Sequence, residues 1–232
     1  MTDVRVIKFG AGSETDRAME RPEATLHWLP AEGFSLNLPP QVETAAAWSP
    51  IVIGLVGLPG SGKTRAAVAI QQHLNGEAVI ISRDDLRRTM FPMGTASTRE
   101  KSAAFNACLA RAGEALTCQC SVILDGCTFA READRALVRD LAERHGCRVV
   151  WIHMACSVDT ARERIAKDVL DGSHSAPDRI PDLVLRVAAA FDPPPPEAVT
   201  IDADRPWGEV EAKLRLACSD IPASCGGSLL SV

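Results

Sequence analysis

The sequence of 232 residues contains no tyrosine, and aromatic residues make up only 4% of it. Such a chain offers few rings on which nucleic-acid bases could stack. The net charge of −5 argues against a dedicated duplex-binding protein, which needs a clustered basic surface, although a local basic groove is compatible with it. No apolar run reaches about 18 residues, so we predict neither a signal peptide nor a membrane span. We therefore expect a cytoplasmic protein.

The eight cysteines include no CxxC pair and no cysteine–histidine spacing of the kind that binds zinc. Cys118 and Cys120 form a CxC, which is a weak indication of metal binding. Reduced thiols buried in helices and strands explain the cysteines better, because structural disulfides belong mainly to oxidising compartments.

The chain divides into three parts by composition. Residues 1–50 carry short alternating apolar stretches broken by glycine and proline, which predicts a small β-rich segment and a linker. Edge strands in this segment could pair between chains, so a monomer and an oligomer both fit the sequence. Residues 51–220 are predicted to form the main domain, and residues 221–232 a flexible tail.

Strand and helix patterns alternate from residue 51 onward, which predicts βαβ units and a parallel sheet. The sequence STRE at 97–100 predicts a capping box at the start of the third helix. The sequence FDPPPPEAV at 191–199 predicts a rigid connector, for which a spacer role is sufficient. The predicted strands are 51–56, 78–82, 121–125, 148–153 and 198–202, and the predicted helices are 62–75, 83–90, 98–117, 129–145, 157–170, 181–191 and 207–218.

The stretch GLPGSGKT at 57–64 follows a buried strand and fits the phosphate-loop pattern GxxxxGK(S/T). Its glycines let backbone N–H groups face phosphate oxygens, and the helix that follows directs its positive end at the same point. Lys63 can reach the β- and γ-phosphates, and the Thr64 hydroxyl can bind Mg²⁺. The residues predicted to bind the nucleotide here are Gly57, Pro59, Gly60, Ser61, Gly62, Lys63, Thr64 and Arg65.

Charged residues follow the second predicted strand in the sequence SRDDLRR. Asp84 could accept the proton of an acceptor hydroxyl, and Arg87 lies one helical turn further, so both can face one pocket. The alternative is a capped and solvated helix start. Asp85 and Arg88 point elsewhere on the helix and are expected to be solvated.

Two further places carry candidate site residues. Asp125 ends the third predicted strand, where it can reach a metal-bound water or the acceptor, unless it caps a helix. The helix at 157–170 carries Arg162, Arg164 and Lys167, and the next loop carries Arg179. Such cations can stabilise a transferring phosphoryl group, or can form a solvated face.

Residues 51–202 resemble the P-loop kinases that include phage polynucleotide 5′-hydroxyl kinase, the zeta toxins and small-molecule phosphotransferases. The resemblance rests on the sequences GLPGSGKT, SRDDLRR, VILDGCTFAREADR, ARERI and IPDLVLRVAAAF. It implies a three-layer α/β fold with a five-stranded parallel sheet in the order 2-3-1-4-5. It also implies that Asp84 is the general base, that Arg87 contacts the acceptor, and that Arg164 belongs to the phosphoryl clamp.

The sequence departs from that pattern at two points. Gly126, Cys127 and Thr128 follow Asp125 where the family has x-Thr-Asn, so the acceptor surroundings are expected to differ. Asp168 stands where the family carries a second arginine, four residues after Arg164, which weakens the expected clamp.

Together these patterns predict transfer of the γ-phosphoryl group of ATP to a hydroxyl, with ATP and Mg²⁺ as cofactors. The acceptor is a polynucleotide 5′-OH or a small nucleoside, sugar or antibiotic, and an ATPase switch without an acceptor is the alternative. The predicted catalytic residues are Lys63, Asp84, Arg87 and Arg164, the acceptor residues Asp84, Arg87, Asp125 and Thr128, and the metal ligands Thr64 and Asp125.

Overall fold

The computed structural model describes residues 49–172, 180–219 and 221. The predicted N-terminal segment up to residue 48 and the tail from residue 222 lie outside the described residues. The strands are β1 (Ile51–Val56), β2 (Ala78–Ser82), β3 (Ser121–Asp125), β4 (Arg148–Ala155) and β5 (Val199–Asp202). The helices are α1 (Lys63–His73), α2 (Arg83–Met90), α3 (Thr98–Thr117), α4 (Glu132–Arg144), α5 (Val158–Leu170), α6 (Pro181–Ala189) and α7 (Trp207–Ala217).

The five strands form one parallel sheet in the order β2-β3-β1-β4-β5, which confirms the predicted topology. All strands therefore end at the same edge of the sheet. The register pairs Ser82 at the end of β2 with Asp125 at the end of β3. The phosphate loop follows β1, which lies directly beside β3. Ligands of doubly wound sheets bind at this edge, where the sequence predicts the site.

The central strand β1 is buried along its whole length, because its alternate side chains enter two different cores. Ile53 and Leu55 pack in the core that α1 and α7 cover, whereas Val52 and Val56 pack in the core that α3 and α4 cover. Full burial of such an aliphatic side chain contributes roughly 1.5–3 kcal/mol. The continuous apolar run in β1 thus follows from helices on both faces, which gives the three layers.

The predicted capping box is confirmed at the start of α3. The Ser97 hydroxyl accepts the backbone N–H of Glu100, and the Glu100 carboxylate accepts the backbone N–H of Ser97, both at 3.3 Å. The start predicted for the fourth helix at residue 129 is wrong, since α4 begins at Glu132. Phe129 has a φ of +47°, which a right-handed helix does not accommodate, and its buried ring contacts Phe105 and Trp151 edge-on.

The proline-rich connector after α6 is more than the predicted spacer, because it is bonded to the β3–α4 loop. The Asp192 N–H donates to the carbonyl of Ala130 at 2.8 Å, and the Asp192 carboxylate accepts the N–H of Glu132 at 2.8 Å. Arg135, which is 1% exposed, donates to the carbonyls of Phe129 and Pro193 at 2.9 and 2.7 Å. These bonds fix the connector against the loop that follows Asp125.

The glycine at the middle of β1 is required by a close contact with the neighbouring strand. A Cβ atom on Gly54 would lie 2.2 Å from Cζ3 of Trp151. We predict that Gly54→Ala lowers the free energy of unfolding by about 1–3 kcal/mol, since overpacking forces side chains and backbone to shift. Urea unfolding measures the change.

Gly208→Ala is the matched control for Gly54→Ala. Gly208 lies in α7, and a Cβ there would meet no atom within 4 Å. Alanine is favoured over glycine within a helix by about 1 kcal/mol, so the control should be neutral or stabilising. Equal urea midpoints for the two variants would contradict the packing argument.

Candidate functional site

A cleft of about 390 Å³ opens at the carboxyl edge of the sheet. It brings together residues that lie far apart in sequence. From the phosphate loop and the first turn of α1, the predicted residues that line it are Pro59, Gly60, Gly62, Lys63, Thr64 and Arg65. From the strand ends and α2, they are Asp84, Arg87, Asp125 and Thr128. The sequence SRDDLRR therefore faces the phosphate loop across one cleft.

The phosphate loop has the backbone conformation that its glycines allow. Gly60 and Gly62 have φ values of +84° and +91°, which other residues rarely adopt. A Cβ on Gly60 would also lie 2.5 Å from the carbonyl oxygen of Ala161. The α1 helix begins directly after Gly62 without a side-chain cap, so its first N–H groups are left for another acceptor. An anion fits this position, because the helix N-terminus is also its positive end.

Lys63 and Gly57 connect the loop to its surroundings. The Lys63 ammonium donates to the carbonyls of Gly57 and Leu58 at 3.0 and 2.7 Å. The Gly57 N–H donates to the carbonyl of Thr128 at 3.0 Å, which ties the loop to the segment after β3. These two bonds fix the Lys63 ammonium beside the loop, where Lys63 lines the cleft and can contact an anionic phosphate.

Thr64 and Asp125, the two predicted metal ligands, are in direct contact. The Thr64 hydroxyl donates to the Asp125 carboxylate at 3.1 Å, and Asp125 is only 5% exposed. Burial raises the pKa of Asp125, although the bonds from Gly126 and Thr64 and the charge of Lys63 oppose the shift. Hydroxyl and carboxylate oxygens are the hard donors that Mg²⁺ prefers, so the pair fits that ion.

The helix α2 presents Asp84 and Arg87 to the cleft. Ser82 caps this helix by accepting the Asp85 N–H at 3.3 Å, which fixes the direction of its first turn. Asp84 is bonded to Arg83 at 3.4 Å. On the other face of the helix, Asp85 and Arg88 are exposed, as predicted, and form an ion pair with each other. Their exposure and the burial of Arg87 show that α2 has a solvent face and a cleft face.

Three of the predicted residues do not line the cleft. Arg164 donates to the carbonyl of Ala203 at 2.8 Å and, more weakly, to that of Gly60 at 3.5 Å, and it is not among the described residues that line the cleft. Gly57 and Ser61 are buried residues of the loop itself, and the Ser61 hydroxyl has no partner in the described part of the chain.

The remaining cations of the predicted clamp do not reach the described cleft. Lys167 is exposed and Arg162 half-buried on α5, and neither is among the residues lining the cleft. Arg179 lies outside the described residues. A role of Arg164 in phosphoryl transfer stays a prediction.

Several cleft residues were not predicted. Arg83 and Lys101 add positive charge, Cys127 adds a buried thiol whose pKa burial raises to about 12, and Leu183 and Val187 form an apolar wall. The spacing of Leu183 and Val187 on α6 indicates a shared helix face, but the sequence does not indicate which element that face meets. The position of Lys101 follows from the packing of α2 on α3.

Two other kinds of feature, a metal site at the cysteines and a membrane-spanning helix, are absent from the described residues. Across residues 49–172, 180–219 and 221, no group of three or more His, Cys, Asp or Glu side chains is placed to hold a metal ion. The seven cysteines in this part of the chain are free thiols. Among the helices described, none combines the length and apolar character needed to cross a membrane.

A comparison with protein families identifies the domain. A family described as "AAA domain" matches residues 52–194, which is 143 of the 232 residues. The chain belongs to this AAA domain family. No curated protein matches this AAA domain protein.

Solved structures share the fold of this AAA domain. A provisionally named kinase from Chloroflexus aurantiacus has 22% identity and a TM-score of 0.60, covering 73% of this chain and 99% of its own. A gluconokinase from Sinorhizobium meliloti has 19% identity and a TM-score of 0.52, with coverages of 74% and 91%. The APS kinase of Mycobacterium tuberculosis, solved with AMPPNP and APS, has 16% identity and a TM-score of 0.55, with coverages of 74% and 98%. The AAA domain thus has a P-loop kinase fold.

The buried carboxylate of Asp125 should lower the stability of this AAA domain at neutral pH. Its pKa is raised above the usual 3.8, so the unfolded chain releases this proton first and stability falls as the pH rises through the interval above 3.8. Asp125→Asn keeps a hydrogen-bond acceptor for Thr64 without the charge. We predict a melting temperature a few degrees higher at pH 7, since 1 kcal/mol corresponds to roughly 2–4 °C in a chain of this size.

The gain should shrink as the pH falls toward 3.8, where the wild-type carboxyl becomes protonated. Asp140→Asn, which removes an exposed carboxylate on α4, is the control and should change the melting temperature little. A lower melting temperature for Asp125→Asn across the whole pH range would show that the carboxylate stabilises the fold instead.

Proposed function

We propose that this AAA domain protein is an ATP-dependent kinase that transfers the γ-phosphoryl group to a hydroxyl of a small molecule. The observation that carries the proposal is the shared cleft, in which Lys63, Thr64 and Asp125 face Asp84 and Arg87. Phosphoryl transfer depends mainly on positioning and on charge stabilisation, and a cleft that joins a phosphate loop to a carboxylate provides both.

The nucleotide occupies the loop side of the cleft in this proposal. The backbone from Gly57 to Gly62 surrounds the phosphates, and Lys63 contacts the β- and γ-phosphates. Thr64 and Asp125 would hold Mg²⁺, which would offset the negative charge of the phosphate oxygens when bound. The APS kinase of similar fold was solved with AMPPNP, which supports a nucleoside triphosphate as the donor.

The acceptor occupies the side lined by α2. Asp84 takes the proton of the acceptor hydroxyl while that oxygen forms a bond to the γ-phosphorus, and the bond from the γ-phosphorus to the bridging oxygen of ADP breaks. Arg87, one turn along the helix, orients the acceptor. Thr128 and the Asp125 carboxylate border the same space.

The composition of the cleft favours a small acceptor over a nucleic acid. Among its described lining residues none is aromatic, so it lacks the rings on which single-stranded bases usually stack. A gluconokinase and an APS kinase share the fold. A polynucleotide 5′-OH is the second candidate, because the sequence Arg83-Asp84-Asp85 followed by Arg87 resembles the polynucleotide kinase branch.

The test is transfer of the terminal label of ATP to a metabolite pool and, separately, to 5′-OH RNA and DNA oligonucleotides. We expect label on a small molecule and a loss of roughly 10²–10⁴-fold in Asp84→Asn, the usual contribution of a general base. Asp85→Asn is the matched control, since this neighbouring carboxylate is exposed and paired with Arg88. It should stay within about twofold of the wild type.

Each other outcome has a distinct meaning. Label on the oligonucleotides alone, lost in Asp84→Asn, would replace the small acceptor by a polynucleotide end. Phosphate released to water equally by the wild type and Asp84→Asn would leave an ATPase switch and would refute the kinase proposal.

A further inference from the structure

We propose that Gly126 is a positioning residue of the kinase reaction, because the absence of a side chain there sets the place of the Asp84 carboxylate. The start of α2 approaches the end of β3 this closely only if residue 126 has no Cβ atom. This inference rests on the proposed function and deepens it, since Gly126 acts through Asp84 and does not react itself. A side chain at residue 126 is then expected to slow phosphoryl transfer and to leave nucleotide binding unchanged.

The contact between Gly126 and α2 is too close for any side chain. Gly126 follows directly after Asp125, the last residue of β3. A Cβ atom on Gly126 would lie 2.9 Å from the backbone nitrogen of Asp84 and 3.2 Å from that of Arg83. It would also lie 3.3 Å from Cγ of the Asp84 side chain. The first of these separations is shorter than van der Waals contact, so the backbone of one segment would have to move.

Gly126 contacts both carboxylates of the cleft. Its φ of +73° lies in the left-handed region, which glycine adopts without the clash that a Cβ atom causes. In this conformation its N–H is bonded to the Asp125 carboxylate on one side. Its Cα faces the backbone and the carboxyl carbon of Asp84 on the other side. Gly126 therefore sets the separation between the carboxylate on the metal side of the cleft and the one on the acceptor side.

A displacement caused by a side chain at residue 126 would fall on α2. The strand β3 is buried along its whole length and is paired with β2 up to Ser82 and Asp125, so it cannot retreat. The helix α2 is exposed on its other face, where Asp85 lies, and is free to move in that direction. A shift of its first turn carries the Asp84 carboxylate away from the cleft.

Such a shift matters because a general base works only at short range. In the proposed reaction Asp84 takes the proton of the acceptor hydroxyl, which requires an oxygen–oxygen distance of about 2.6–3.2 Å. A misplacement by about 1 Å can lower a reaction rate by about 100-fold. The phosphate loop lies on the other side of the cleft, so the site of the nucleotide is expected to stay intact.

Two other glycines allow backbone strain to be separated from the contact. Gly76 and Gly146 have φ values of +79° and +63°, close to that of Gly126, and a Cβ on either would meet no atom within 4 Å. Alanine at residue 76 therefore introduces the same kind of strain as alanine at residue 126, without the collision. Gly76→Ala is the matched control for Gly126→Ala.

The kinetic test uses the full chain with the acceptor that the labelling experiment identifies. We expect Gly126→Ala to lower kcat roughly 10–100-fold and to keep the dissociation constant of Mg²⁺ and AMPPNP within about twofold of the wild type. Gly76→Ala should keep both values within about twofold. All variants are also made in the Gly208→Ala background, which is expected to be neutral or stabilising, so that a loss of stability does not prevent the measurement.

A double-mutant cycle tests whether Gly126 acts through Asp84. In the Asp84→Asn background the base is already absent, so Gly126→Ala should change the remaining rate by less than about twofold. An unchanged kcat in Gly126→Ala would overturn the inference. The same is true of an equal loss in both backgrounds, or of a loss of AMPPNP affinity as large as the loss of kcat, since each would assign Gly126 a general structural role.

Crystal structures of Gly126→Ala and Gly76→Ala provide a measurement that needs no acceptor. We expect the first turn of α2 to move away from β3 by about 1 Å in Gly126→Ala, which restores ordinary contact distances, and to stay in place in Gly76→Ala. An unmoved α2 in Gly126→Ala would overturn the inference whatever the rates. If the wild type labels no acceptor at all, the kinase function is refuted, and the structures still decide whether Gly126 positions Asp84.

Discussion

The hydrogen bond between the Thr64 hydroxyl and the Asp125 carboxylate is the contact on which the rest of the cleft depends. It forms only because β3 lies beside β1 in the sheet, so that the end of one strand meets the helix that follows the other. The hydrogen bond from the Gly57 N–H to the Thr128 carbonyl also joins the segment after β1 to the segment after β3. The phosphate loop and the acceptor side thereby become one surface.

The buried charged side chains of the cleft include Asp125 and Arg87, which the stability of the fold does not require. Burial disfavours the charged form of Asp125, and its hydrogen bonds and the charge of Lys63 compensate only in part. The pKa of this carboxyl is therefore raised. Arg87 lines the cleft and no described residue accepts a hydrogen bond from its guanidinium, in contrast to the fully bonded Arg135. A buried carboxylate and an arginine without a protein acceptor are typical of functional sites, where a ligand supplies the interactions that the free protein lacks.

Much of this could be predicted from the sequence, because the signals are local. The apolar run of β1 and the glycines after it predict a strand and a phosphate loop, and helical spacing places Asp84 and Arg87 on one face of α2. Arg164 contacts the carbonyls of Gly60 and Ala203, which helical spacing alone does not indicate, and its predicted role at the phosphoryl group stays a prediction. The wall at Leu183 and the position of Lys101 depend on how whole helices pack, which local periodicity does not encode.

The strand order has a consequence for the synthesis of the chain. The central strand β1 pairs with β3 and with β4, and the register of β4 sets Val52 beside Val149, 97 residues later. While the ribosome makes the intervening segment, a strand of six consecutive residues that are buried in the folded domain has no neighbour on one or both sides. Unpaired apolar strands of this kind favour aggregation and suit chaperone binding. The phosphate loop therefore gains its supporting sheet only after most of the domain has been translated.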